Sequence, residues 1–304
     1  MVRDQGEGHH GDAKDAKEAI ILGRTARWLD DRIEYEAGGK YVKVIIEEMG
    51  LEEVSNGVEG PVGQTKAEDL EDDEELSKDE AKDFRRVAAT ANYLASDRPD
   101  IQFATKEICR DMSKPKRRSW EKLKRLARYL IKYPRMVVKF VEGVELEDMY
   151  LEAMVDSDWA GCLATRRSTS GGVVSVGGGM MKSWSSTQAS TAMSSGEAEY
   201  YAMVKGASEA LGIQALAADL GWSWKVRMWV DSLAAKSIAS RTGLGKVRHI
   251  EVRFLWLQEV VKAGRIELRK IPGERTPADI MTKPKNAVEV VSKCEPLGLN
   301  LVGR

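Results

Sequence analysis

The chain has 304 residues, of which 31% are charged and 42% apolar, and its net charge is −1. That is enough for two domains and at least one sizeable core, with the composition of a soluble globular protein. No apolar run reaches the roughly 18–20 residues of a membrane span, the start MVRDQGEGHHGDAKDAK has no secretory apolar segment, and Cys109, Cys162 and Cys294 form neither a disulfide framework nor a zinc pattern, so a reducing compartment is expected.

In chain order, residues 1–17 read as a disordered tail. Ala19–Trp28 (AIILGRTARW) reads as a strand with Arg32–Tyr35 as its hairpin partner, and Lys40–Leu51 has helical spacing of apolar residues. Residues 55–80 are Gly-rich and then densely acidic (EDLEDDEELSKDE), a linker by composition. A helix from Asp83 to Leu94 breaks at Arg98-Pro99-Asp100 and resumes from Ile101 to Met112. Ser119–Tyr133 (SWEKLKRLARYLIKY) carries an apolar stripe on a basic helix that Ser119 can cap, and Met136–Val141 follows as a strand.

From Leu151 the pattern turns to α/β. Strands are expected at Leu151–Asp156, Gly171–Gly177 and Met180–Ser185, the last two joined in a hairpin through glycines, with a short one at Thr191–Met193. A long helix, Ser195–Leu220, precedes a strand at Val226–Val230 and a helix from Ser232 to about Ser240. Ile250–Ala263 is a further helix, Arg265–Ile271 the last strand, and Pro277–Thr282 a short helix. This order predicts an α/β fold, a mixed sheet with helices on both faces.

Charge is segregated along the chain. Residues 1–83 hold 24 acids and 11 bases, residues 84–150 hold 9 and 16, and residues 151–304 hold 15 and 20. The basic later part is a hint of a polyanionic partner, although a basic helix is also an ordinary solvated face.

Four acids stand out by position. Asp156 ends the first strand of the α/β part, Glu199 lies in the first turns of the long helix, Asp231 follows VRMWV, and Asp279 opens the last short helix. Strand ends and helix starts are where such a sheet gathers its site, and unpaired carboxylates among apolar residues are costly. Four carboxylates without histidine suit hard divalent cations such as Mg²⁺. Singly, Asp231 could cap the following helix and Asp279 could serve a helix dipole. In MSSGEAEY, Ser194 and Glu197 fit a capping box, and Glu199, about 200° further around the helix, faces elsewhere.

DSDWAG, RRSTSGGVV, SWSSTQ, MSSGEAEY, WVDSLAA, RHIEVRFLWLQE and PADIMTKP, in that order, resemble the ribonuclease H domain that ends copia-type LTR retrotransposon Pol polyproteins. ATANYLASDRPDIQFATKEICRDMSKP and WEKLKRLARYL resemble the connection region before it, and AIILGRTARW with RIEYEAGGKYVKVIIEEMGL resembles the end of the reverse transcriptase. The implied layout is a reverse-transcriptase C-terminal (primer grip and thumb-like) remnant at 18–54, the acidic linker, a helical connection region at 81–149, a ribonuclease H domain with a mixed five-stranded sheet at 150–285, and a C-terminal tail at 286–304. The polymerase's Tyr-x-Asp-Asp motif is absent, so no reverse transcriptase activity is expected.

The resemblance implies an endoribonuclease that cleaves the RNA of RNA–DNA hybrids, leaving 5′-phosphate and 3′-hydroxyl ends. Two Mg²⁺ ions, or Mn²⁺ in their place, would be held by Asp156, Glu199, Asp231 and Asp279, with Asp156 bridging both and Asp158 as a substitute ligand or supporting group. Arg166 and Arg167 would suit phosphates, and Gln188, Ser194 and Ser195 could meet the 2′-hydroxyls or as easily be cap and turn residues. Partners would be the RNA–DNA hybrid and the full-length reverse transcriptase, with no membrane, in the cytoplasm (virus-like particle) or nucleus. Many cellular ribonucleases H carry a histidine before the last acid; here that loop, PGERTPAD, has none, and His249 is expected to be structural. The rival readings are a non-catalytic nucleic-acid-binding or structural remnant and a DNA nuclease of the same fold.

Overall fold

The computed structural model describes residues 17–52, 54–63, 73–141, 149–245 and 247–303. The reading of residues 1–16 as a tail, and residues 68–72 of the acidic stretch, lie outside them.

Two five-stranded sheets organise the described chain. The first is antiparallel throughout: β1 (Glu18–Ile21), β2 (Arg24–Trp28), β3 (Arg32–Ala37), β4 (Arg135–Val141) and β10 (Leu299–Val302), in the order β1-β2-β3-β4-β10. The single strand expected over 19–28 is a hairpin, because Leu22 and Gly23 both take positive φ and reverse the chain. Against this sheet, α1 (Lys40–Glu48), α2 (Lys78–Ala95), α3 (Pro99–Cys109) and α4 (Arg117–Lys132) enclose a core around Phe84, Leu94, Ile101, Leu123 and Leu130. Helix α4 starts two residues earlier than its sequence suggests. Ser119 sits inside the first turn, its Oγ accepting from Lys116 N (3.1 Å) and donating to Asp111 Oδ2 (3.0 Å).

The basic run on α4 meets acids of the same chain. Lys114 pairs with Glu75 (2.5 Å), Arg117 with Glu80 (3.0 Å), Lys122 with Asp111 (2.9 Å), Arg135 with Glu36 (2.7 Å), and Lys132 with Glu59. The described parts of the acidic linker therefore lie along α4, and part of the segregated charge is neutralised within the fold.

The second sheet is mixed, in the order β7-β6-β5-β8-β9: β5 (Tyr150–Asp158), β6 (Thr169–Val176) and β7 (Gly179–Thr187) are antiparallel, while β8 (Lys225–Val230) and β9 (Ile266–Lys270) run parallel to β5. Thr191–Met193, expected as a strand, is a loop leading into α5 (Ser195–Asp219). Helix α5 covers one face so closely that a Cβ on Gly206 would lie 2.4 Å from Val155. The 3₁₀ helix Pro277–Met281 crosses the other face, where a Cβ on Gly171 would meet Ala278 O at 2.9 Å. After β8 come α6 (Leu233–Ser240), a 3₁₀ turn at Val252–Leu255 and α7 (Trp256–Lys262). The helix expected over 250–263 is therefore shorter and begins with a 3₁₀ turn.

Residues 286–304, expected as a tail, carry α8 (Ala287–Cys294) and β10. A third core joins the two sheets: Met136 and Val138 of β4, Val173 of β6, Ile280 and Met281, Val290 and Cys294 of α8, and Leu299 of β10. The 3₁₀ helix that bears Asp279 is thus fixed from both sides.

Candidate metal centre

Asp156 is the seventh residue of β5, on the face that Pro277–Met281 covers. Glu199 lies in the second turn of α5, and Asp231 follows the last residue of β8. Among the described residues, one carboxylate oxygen from each of these three lies within 4.8 Å of the other two. Asp156 and Glu199 are buried and Asp231 is half-buried. Among the described residues, none of the three carboxylates forms an ion pair with a cation.

Neighbouring hydroxyls hold two of them. Thr282 Oγ1, itself fully buried, donates to Asp156 Oδ2. Ser157 donates from its backbone N (3.1 Å) and its Oγ (2.9 Å) to Glu199 Oε1. Asp231 does not cap α6. Ser232 does, accepting from Ala235 N at 3.2 Å, which leaves the Asp231 carboxylate for the cluster. Gly273, in the loop after β9, approaches Asp231 so closely that a Cβ there would lie 2.8 Å from Oδ2.

The electrostatics follow from burial without compensation. Burial, then repulsion from Asp156 and Asp231, pushes the Glu199 carboxyl up to about 8 against the weaker pull of Ser157. Burial, aided by Asp279 and Asp231, pushes Asp156 up to about 6, although Thr282 and Lys283 act against it. Three convergent carboxylates, two resisting ionisation, form an all-oxygen donor set that a hard divalent ion would satisfy.

Asp279 stands apart from that cluster. Its Oδ1 pairs with Lys283 Nζ (2.7 Å), and its Oδ2 with Lys285 Nζ (2.8 Å) and, more distantly, Lys293 Nζ (3.8 Å). Burial raises its pKa, but the two nearer lysines outweigh it and hold the carboxyl below the usual range. Asp158 lies outside the cluster too, with its carboxylate packed against Gly161.

The proposed substrate contacts divide. Arg166 and Arg167 are exposed in the loop after β5, Arg166 with a φ of 54°. Ser194 and Ser195 are exposed at the start of α5, where Ser194 Oγ accepts from Glu197 N (3.2 Å) as the cap. Gln188 is buried, its Nε2 donating to Ser170 Oγ (2.9 Å) and Ala198 O (2.8 Å), so it braces β6 against α5. Glu197 does not close a capping box on Ser194 N. It accepts instead from Met193 N (3.0 Å) and Tyr201 Oη (2.6 Å), and lies 2.7 Å from His249 Nε2. Ser157, Thr282 and Lys283 lie inside the matched motifs but carried no signal of their own, and Lys285 and Lys293 fall outside them.

Sheet order, connections and acidic cluster define a mixed α/β domain with a three-carboxylate site, joined to an N-terminal antiparallel sheet. No family model matches the chain. It is 26% identical over 281 residues to the Retrovirus-related Pol polyprotein from transposon TNT 1-94 of Nicotiana tabacum, covering 89% of this chain and 20% of that protein. Secreted RxLR effector protein 161 of Plasmopara viticola is 33% identical over 125 residues, 41% of this chain and 86% of that protein. Among solved structures, RNase H1 from the archaeon Halobacterium salinarum aligns with 17% identity and a TM-score of 0.28, covering 44% of this chain and 94% of that one. The chain is distantly homologous to copia-type retrotransposon Pol polyproteins, and spans about a fifth or less of the length of those it matches.

Proposed function

We propose that this chain is a divalent-metal-dependent endoribonuclease acting on the RNA strand of RNA–DNA hybrids, in the setting of retrotransposon replication. The observation that carries the reading is the convergence of Asp156, Glu199 and Asp231, in a homologue of Pol polyproteins.

Asp156, Glu199 and Asp231 would hold Mg²⁺, which when bound supplies a water activated near neutral pH and charge neutralisation at the phosphodiester. Ser157 fixes Glu199 by two hydrogen bonds, and Thr282 fixes Asp156, so the carboxylates are oriented before the ion arrives. Exposed Arg166 and Arg167 would take backbone phosphates, and Ser194 and Ser195 the 2′-hydroxyls that mark the RNA strand. Gln188, being buried, supports this edge from behind. The full-length reverse transcriptase would be a second partner.

The test is cleavage of a labelled RNA–DNA hybrid with Mg²⁺ by the chain and by Asp156→Asn and Asp231→Asn. Cleavage lost in both variants supports the reading. Wild-type inactivity on hybrid with retained binding would make the chain a non-catalytic nucleic-acid-binding remnant. Activity on branched or double-stranded DNA alone would make it a DNA nuclease.

A further inference from the structure

The Asp279 carboxylate has no free side. Lys283 takes one oxygen, and Lys285 takes the other with Lys293 behind it. Two of these lysines are held independently of the acid. Lys285 also pairs with Glu289 (3.0 Å), and Lys293 donates to the carbonyls of Gly273 (3.4 Å) and Glu274. Lys283 is different. It is the most exposed of the three, at 43% of its side chain, and Asp279 is its one ion-pair partner among the described residues. Its ammonium also acts electrostatically on Asp156 and Asp158. Lys283 is thus paired with Asp279, the fourth acid of the resemblance and the one outside the three-carboxylate cluster, where a second divalent ion would be held.

We propose that Lys283 is a built-in monovalent counter-ion for that second position. The chain takes one divalent ion tightly, at Asp156, Glu199 and Asp231, and a second only when Lys283 swings off Asp279. A divalent cation and an ammonium competing for the Asp279 carboxylate repel each other, and each lowers the occupancy of the other. The lysine's length and partial exposure let it leave without unpacking the core, whereas Lys285 and Lys293 are more enclosed and tied to other groups. Lys283 is thus a positioning residue that sets ion stoichiometry. The inference rests on the metal reading of the three-carboxylate cluster.

The experiment is a Mn²⁺ titration of the full chain without nucleic acid, followed by electron paramagnetic resonance of the free ion. Wild type is expected to bind one ion tightly and a second at least about tenfold more weakly, since one charge removed at contact range is worth at least a factor of ten. Lys283→Gln should tighten the second ion by about that factor and leave the first unchanged. Lys283→Arg, which keeps the charge, should behave like wild type, and because the position is partly exposed both variants should fold. Two equal ions in wild type, an unchanged second ion in Lys283→Gln, or a tightened one in Lys283→Arg would each overturn the lysine's role while leaving the metal reading in place. No bound ion in wild type would overturn the metal reading itself, and this inference with it.

Discussion

Asp100 and Glu199 are both buried acids in the first turns of helices, and their surroundings are opposite. Asp100, on α3, receives a two-pronged ion pair from Arg98 (2.8 and 2.6 Å) and a hydrogen bond from Tyr129 (3.1 Å). Arg98 in turn donates to the carbonyls of Pro134 (3.1 Å) and Tyr133 (2.9 Å) and is 1% exposed. Every charge there has a fitted partner. Glu199 has hydroxyl and amide donors but two further carboxylates as neighbours and no cation. The first arrangement joins helices. The second is strained in the ion-free chain, and such strain concentrates where a ligand is meant to relieve it.

The largest effect that separates the two is on chemistry. Asp231→Asn is expected to lower Mg²⁺-dependent hybrid cleavage by at least about a hundredfold, since it removes a ligand rather than a distant contact. The same change relieves like-charge repulsion, so the melting temperature in EDTA should stay level or rise. Destabilisation accompanying the lost cleavage would mean that Asp231 is structural and that the contrast with Asp100 does not hold.

The converse experiment breaks the compensated site. Arg98→Met leaves Asp100 buried without its cation and should cost about 3–5 kcal/mol in urea denaturation. Replacing both, as Arg98→Met with Asp100→Leu, should recover much of that loss, because a buried pair adds little net stability over apolar packing. Mn²⁺ affinity of the folded double variant should match wild type.

How much of this contrast could be read from the sequence depends on how local each feature is. Asp156, Glu199, Asp231 and Asp279 stand at strand ends and helix starts, positions that periodicity locates, and motif resemblance selects the same four, of which the first three converge in one cluster. Arg98-Pro99-Asp100 was visible only as a helix break, since its fitted pair needs Tyr129 and two carbonyls from the far end of α4. Lys285 and Lys293 reach Asp279 across turns whose course no spacing rule specifies. The role of 286–304 was hidden for the same reason: VEVVSKC and LNLV are short, and only β4 and the core beneath Asp279 give them a place. Part of the basic charge on and beside α4 is answered by Glu59, Glu75 and Glu80, acids upstream in the chain whose pairing no local spacing reveals.

A third, smaller effect concerns pH. Glu199 and Asp156 have carboxyls raised above their unfolded values, to about 8 and about 6. The folded, ion-free chain therefore holds protons that the unfolded chain has released, and stability falls as pH rises from about 4.5 towards 8. In EDTA the melting temperature should drop over that window, with Glu199→Gln flattening the upper part of the slope. Saturating Mg²⁺ should cancel the drop by replacing protons with the ion, and ion binding near pH 7 should release protons measurable by calorimetry in two buffers. A melting temperature independent of pH in EDTA would mean that the cluster is already compensated, as Asp100 is.

The smallest effect on cleavage distinguishes two glutamates of one helix turn. Glu197 is 1% exposed, yet it belongs with Asp100 rather than with Glu199. Burial pushes its carboxyl up, but Tyr201, His249 and the Met193 amide outweigh that and hold it below the usual range. Its partners tie the loop before α5 to the His249 segment, and Glu199 two residues on points to Ser157 instead. Glu197→Gln keeps the shape and loses the charge, so it should cost about 1–3 kcal/mol of stability, the worth of hydrogen bonds to an ionised group. Cleavage should change by no more than a few-fold, whereas Glu199→Gln should abolish both Mn²⁺ binding and cleavage with the fold intact. If Glu197→Gln removes ion binding while Glu199→Gln spares it, the ligand has been assigned to the wrong glutamate, and the loop before α5 rather than β5 completes the metal centre.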